Sequence, residues 1–180
     1  MFKALDPSRF TGWAVWEATG PRSGVFNLNA DSEPAIYSRA ETLIGDFVQP
    51  GDIVGVEAPL LPAGMSIQSR QILLGVRAII FVTIFKRQAR VIEIEPARWR
   101  SKILGLTQAP KHIGQGLSKS KKTAVRRAWL KRRAIDEVAA RGWGKTTDDQ
   151  ADALCILDYL RMRLDPAYVS SDHKLPGFAA

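Results

Sequence analysis

At 180 residues the chain suits a single domain, large enough to bury about 70% of its unfolded surface without covalent staples. Its one cysteine, Cys155, and two histidines supply neither a disulfide framework nor a zinc-type cluster, so a reducing cytoplasm and a packed, non-catalytic thiol are expected. The formal net charge of +8 is unevenly placed: twelve Lys/Arg and no Asp/Glu fall between Arg98 and Arg133, which points to a polyanionic partner, nucleic acid above all.

In chain order, Phe2 to Asp6 predicts a short strand that delivers Asp6 at its end, and Pro7 to Phe10 turns the chain into a second strand over Thr11 to Glu17. After a Gly20-Pro21 break, Ser23 to Leu28 supplies a third strand and completes an antiparallel meander. Ser32 with Ala35 to Val48 reads as an amphipathic helix with Ile36, Ala40, Leu43, Ile44 and Phe47 on one face, stopped by Pro50-Gly51. Asp52 to Glu57 is then a buried strand ending in a carboxylate. Open sheets with parallel strands place their ligands at strand carboxyl ends, the position that Asp6 and Glu57 both occupy.

A loop over Leu60 to Met65 leads to a long helix from Ser66 to about Phe85, whose Ile72, Val76, Ile79, Ile80 and Thr83 predict a face packed on the sheet. The most apolar stretch, Gln71 to Phe85, is interrupted by Arg77 and is short of a membrane span, so a soluble protein without a membrane partner is expected. Arg90 to Ile94 forms a further strand in a β-α-β crossover with the Glu57 strand. Glu93 and Glu95 alternate with apolar residues and read as solvent-facing and non-catalytic. Pro96 to Gly105 reads as a short helix, begun by proline, stopped by glycine and anchored by Trp99 and Leu104. Thr107 to Ser120 reads as a mobile basic loop, and Lys121 to about Ala140 as a helix too densely charged for core support alone.

Thr147 followed by Gln150 predicts a capping box, opening a helix whose Ala153, Ile156, Leu157, Leu160 and Leu164 face inward. Asp149 and Asp152 stand at the head of that stripe. Inward-facing acids need a partner charge or a metal, although acids in a first helical turn also complement the macrodipole. The chain after Leu164, residues 165–180, reads as a surface tail on a 1–164 domain. Trp13, Trp16, Trp99, Trp129 and Trp143 occupy strand and helix positions and read as core or interface more than as base-stacking platforms.

One acid after the first strand, one after a central strand, two at the start of the last helix and a basic block between them are the ingredients of a two-metal phosphodiesterase. Carboxylate donors without a histidine cluster favour Mg²⁺ or Mn²⁺ over zinc.

Leu5-Asp6-Pro7, Val56-Glu57 and Asp149-Gln150-Ala151-Asp152-Ala153-Leu154, together with Ile92 to Gly105 and Lys121 to Val125, resemble the signature of the RuvC-type crossover junction endodeoxyribonucleases, and most of all their bacteriophage-borne branch. The resemblance covers roughly Met1 to Leu164. It implies a ribonuclease H-like α/β fold: a mixed five-stranded sheet, antiparallel meander plus parallel strands, flanked by helices. It further implies a homodimer, formed through the long helix from Ser66, that nicks four-way Holliday junctions and other branched DNA such as forks and flaps. Asp6, Glu57, Asp149 and Asp152 match the family's metal ligands, for two ions per site. Lys122 matches a lysine near the scissile phosphate, and Arg100 stands where a basic residue, usually lysine, precedes the glycine by five. Arginine keeps its charge and cannot shuttle a proton, so phosphate clamping is its expected role. Arg98, Lys102, Lys111, Lys119, Lys121 and Arg126 join Arg100 and Lys122 as expected DNA contacts. Where cellular members carry an aromatic residue after the central glutamate, this chain has Ala58-Pro59-Leu60-Leu61-Pro62, leaving Leu60 or Leu61 as the apolar wedge at a junction. Two alternatives share these ingredients: a ribonuclease acting on RNA–DNA hybrids, and a non-catalytic branched-DNA-binding module.

Overall fold

The computed structural model describes residues 1–61 and 64–168. Five strands form one sheet in the order β3-β2-β1-β4-β5: β1 (Phe2–Asp6), β2 (Phe10–Glu17), β3 (Gly20–Asn27), β4 (Ile53–Glu57) and β5 (Arg90–Ile94). The first three pair antiparallel, while β1, β4 and β5 run parallel. The expected mixed sheet is therefore present. The third strand starts earlier than its composition suggests, because Gly20 at φ +119 closes a two-residue turn and β3 is an edge strand on which Pro21 needs no ladder hydrogen bond.

Helices cover both faces. On one side α1 (Glu33–Phe47) and α2 (Ile67–Lys86) bury Ile36, Ile44, Ile72, Val76, Ile80 and Ile84 against Leu5, Val54 and Val56. On the other, α5 (Asp148–Leu164) packs over the sheet beneath α4 (Lys119–Ala140) and α3 (Pro96–Trp99). Instead of showing one apolar stripe, α5 is buried on every side from Ala151 to Arg161, being enclosed by sheet and helices together. Its amino end is the capping box read from Thr147 and Gln150.

Three local outcomes differ from the expectations. The segment from Pro96 to Gly105 is not a single helix: one α turn gives way at Arg100 to a π-turn over Arg100–Leu104, closed by Gly105 at φ +70. The wider turn lets Trp99, Ile103 and Leu104 all reach the core. Secondly, α2 is longer than its apolar stretch; at 20 residues and mean hydropathy 1.4 it has the length and composition of a membrane span, while its Ile72, Val76, Ile80 and Ile84 lie in the sheet core. Thirdly, the start of the expected tail is tied down. Tyr168 donates to Asp158 at 3.0 Å and Asp165 pairs with Arg161 at 2.8 Å; residues 169–180 lie outside the described residues. Glu93 and Glu95 face solvent as expected, paired to Arg77 and Arg98.

Candidate active site

The parallel pairing of β1 with β4 aligns Leu5 with Val56, so the next residues, Asp6 and Glu57, leave the same end of the sheet side by side. Their carboxyls come within hydrogen-bonding reach of one another. The head of α5 closes over them because β2 offers a glycine: a Cβ on Gly12, the register partner of Asp6, would lie 2.0 Å from the Asp149 carbonyl oxygen. That contact brings Asp149 and Asp152 above the strand ends. All four acids line one cleft of about 890 Å³ with Arg100, Arg126, Arg127 and Lys131.

Asp6 is the hub, since its charge is felt at Glu57, Asp149 and Asp152 alike. Burial, reinforced by Asp6, pushes the Glu57 carboxyl well above the carboxylate range and that of Asp152 up to about 7. Burial also raises Asp6, against the opposing pull of Glu57, Lys131 and Arg100, and raises Asp149, aided by Asp148. Four desolvated carboxylates sharing one cleft are a site in want of positive charge. Among the described residues, no three such side chains already close on a single ion position. The donor set nevertheless fits a hard divalent cation: every candidate ligand is a carboxylate, and no histidine lines the cleft.

The basic residues divide into two groups. Arg100 lies 3.8 Å from Glu57 Oε1, where it can clamp a phosphate beside the acids, and Arg126 lines the cleft while donating to the Ala109 carbonyl. Lys122 does not line it; its Cα and Cγ back onto Gly114, which turns at φ +75. Lys102, Lys111, Lys119 and Lys121 are exposed outside the lining, and Arg98 pairs with Glu95 at 3.1 Å. Leu60 lines the cleft and is exposed; Leu61 is exposed outside it.

Three residues that sequence reading did not single out for the site belong to it. Lys131 reaches down from α4 to pair with Asp148 and stands 3.9 Å from Asp149. Arg127, one turn earlier, adds a second charge felt at Asp6 and Asp149. The Trp99 indole donates to Glu57 Oε1 at 2.7 Å. Helical spacing from Arg127 to Lys131 would have put both on one face, but nothing local says which face of so basic a helix turns inward. Asp148 is held below the carboxylate range by its hydrogen bond from Lys131, which makes it the anchor of that lysine.

No family model matches the sequence, and no curated protein matches it. Solved structures do. RuvC from Thermus thermophilus is 15% identical, with 90% of this chain and 95% of that one covered at a TM-score of 0.59. T. thermophilus RuvC in complex with a Holliday junction substrate is 11% identical, with 92% and 97% covered at a TM-score of 0.58. At this identity the likeness concerns architecture, and with the strand order above it establishes that the chain has the RuvC-type, ribonuclease H-like fold.

Proposed function

We propose that the protein is a metal-dependent, structure-selective endodeoxyribonuclease that cuts four-way junctions and other branched DNA, forks and flaps included. The observation that carries this reading is the convergence of Asp6, Glu57, Asp149 and Asp152 in a cleft edged by Arg100, Arg126, Arg127 and Lys131. Asp6, Glu57, Asp149 and Asp152 would hold two Mg²⁺ or Mn²⁺ ions there, which would supply an activated water and a stabilised leaving oxygen. The chain's own part is positional. The carboxylates fix where positive charge sits, Arg100 and Arg127 orient a phosphate between the two walls, and Asp148 keeps Lys131 extended toward it. A DNA backbone entering the cleft would be held by the lysines outside it, the exposed Lys102, Lys111, Lys119 and Lys121 and the half-buried Lys122.

Symmetric nicking requires two such sites, and α2 supports a homodimer. Its Leu74, Ala78, Val82 and Phe85 form an unburied stripe, with Val82 49% and Phe85 80% exposed. The run Ala58-Pro59-Leu60-Leu61 in place of an aromatic residue supports the phage-like branch and a broad taste for branched DNA, exercised in a cytoplasm that leaves Cys155 reduced.

The test is cleavage of a labelled immobile four-way junction, a Y-fork, a flap, a linear duplex and an RNA–DNA hybrid, each with Mg²⁺ or EDTA. Symmetric, Mg²⁺-dependent nicks in the branched DNAs are expected. Cleavage of the hybrid alone would replace the reading with a ribonuclease, and tight junction binding without any cut would replace it with a binding module.

The two lysines give a sharper prediction within that assay. Lys131→Met should lower the cleavage rate by about 10²-fold or more, the usual cost of losing one charged contact to a developing oxyanion. Lys122→Met should instead weaken junction binding and reduce its salt dependence by about one phosphate contact. Equal rate losses for the two would mean that the cleft lining misplaces the catalytic cation.

A further inference from the structure

Trp99 closes α3 and is fully buried, sharing the core with Ile94, Ile103 and Leu154. Its ring has no freedom to turn, so its N–H points along one fixed line, and that line ends on Glu57 Oε1 at 2.7 Å. The π-turn that begins at the next residue brings Arg100 over the indole, 5.1 Å from the ring, and to within 3.8 Å of the same oxygen. One oxygen of Glu57 thus accepts the indole N–H from the core side, while the Arg100 guanidinium stands 3.8 Å off it in the cleft lining.

We infer that Trp99 is a positioning residue: it locks the Glu57 carboxylate so that Oε2 alone is presented to Asp6 and to a divalent cation in the cleft. This rests on the metal-dependent reading above. Glutamate is a flexible ligand with three side-chain torsions, and a free carboxylate beside Asp6 would sample many orientations before it met an ion. A donor built into the core removes that freedom without motion of its own. The choice of donor also matters. A lysine or arginine hydrogen-bonded to Glu57 at 2.7 Å would set a full positive charge against the cation that the glutamate is meant to bind, whereas the indole N–H orients the oxygen and brings no net charge, and Arg100 at 3.8 Å stands outside hydrogen-bond reach. Groups that orient a ligand from behind typically change metal affinity by about 10- to 100-fold when removed.

The experiment compares wild type, Trp99→Phe and Trp143→Phe, following free Mn²⁺ by electron paramagnetic resonance during titration without DNA. Phenylalanine keeps an aromatic ring in the core but removes the donor together with part of the indole's bulk; Trp143→Phe makes the same cut at a ring that packs on Trp16 and does not line the cleft. Trp99→Phe is expected to bind Mn²⁺ about 10- to 100-fold more weakly, and Trp143→Phe as wild type does. Wild-type affinity in Trp99→Phe overturns the positioning role and leaves the metal reading standing. Failure of wild type itself to bind Mn²⁺ overturns both.

Should Trp99→Phe not fold, the wild-type chain still answers through its five indole N–H resonances in a ¹⁵N spectrum. One of them is expected far downfield and slow to exchange, moving both on Mg²⁺ saturation and on Glu57→Gln. If no indole resonance responds to both, the inference fails.

Discussion

Asp152→Asn is expected to abolish cleavage while making the cation-free protein more stable than wild type at pH 8. Losing one of four ligands removes several kcal/mol of charge stabilisation at the reacting phosphate, a rate loss of about a thousandfold or more. The stability change has the opposite sign because the Asp152 carboxyl, burdened by burial and by Asp6, is pushed from 3.8 up to about 7. A carboxyl that holds its proton more tightly folded than unfolded weakens the fold as pH rises through that interval. The penalty is small near pH 4, grows to about pH 7 and is constant above it. A rise of that size corresponds to roughly 4 kcal/mol. Asparagine escapes it, and a gain in Tm of about 5 °C or more is expected for a domain of this size. The gap should close toward pH 4, and Mg²⁺ at pH 8 should reverse the order by stabilising wild type selectively. Thermal melts at pH 4 and 8, with EDTA or Mg²⁺, check all of this; a variant less stable than wild type at pH 8 in EDTA would refute the desolvated cluster.

A second large effect lies away from the cleft. Lys3 and Asp52 form a buried pair at 2.6 Å, their side chains 7% and 5% exposed. Lys3 also donates to the Phe47 carbonyl at the end of α1 and lies over the Phe47 ring, while Asp52 accepts from the Gln49 N–H at 2.8 Å. The pair joins β1 to the turn between α1 and β4. Lys3→Met leaves Asp52 buried with only the more exposed Met1 ammonium, 3.1 Å away, as its cation and should cost up to about 3–5 kcal/mol; the double variant Lys3→Met/Asp52→Leu should recover much of that loss. Burial raises the Asp52 carboxyl, but Lys3 and Gln49 outweigh it and hold it below 3.8. Its contribution is therefore present above pH 4 and lost as pH falls through the depressed value. Urea melts of the three proteins at pH 7 and pH 3 test this. A Lys3→Met protein as stable as wild type at pH 7 would show the pair to be dispensable.

Much of the site was legible because its ligands end regular elements. Asp6 and Glu57 each follow an apolar run broken by proline, and the Thr147/Gln150 cap announces the helix that carries Asp149 and Asp152. Lys3 shows the limit of such reading, since a lysine within Phe2–Asp6 looks like the solvent face of a strand until α1 delivers Phe47 and the following turn delivers Asp52. The Pro96–Gly105 segment shows another. Its ends were readable from proline and glycine, but the π-turn arises from fitting Trp99, Ile103 and Leu104 into one core, a demand made by residues far away in sequence.

By itself the sequence determined the period of each element, the ends of the helices, the block of positive charge and the order of the four acids along the chain, because propensity, capping and charge act over a few residues. Only the tertiary structure decided that Lys131 and Arg127, not Lys122, enter the cleft, that Trp99 holds Glu57, and that Gly12 admits the head of α5. Those are relations between surfaces 40 to 140 positions apart along the chain, set by which face of each helix the sheet buries and how closely two backbones can approach.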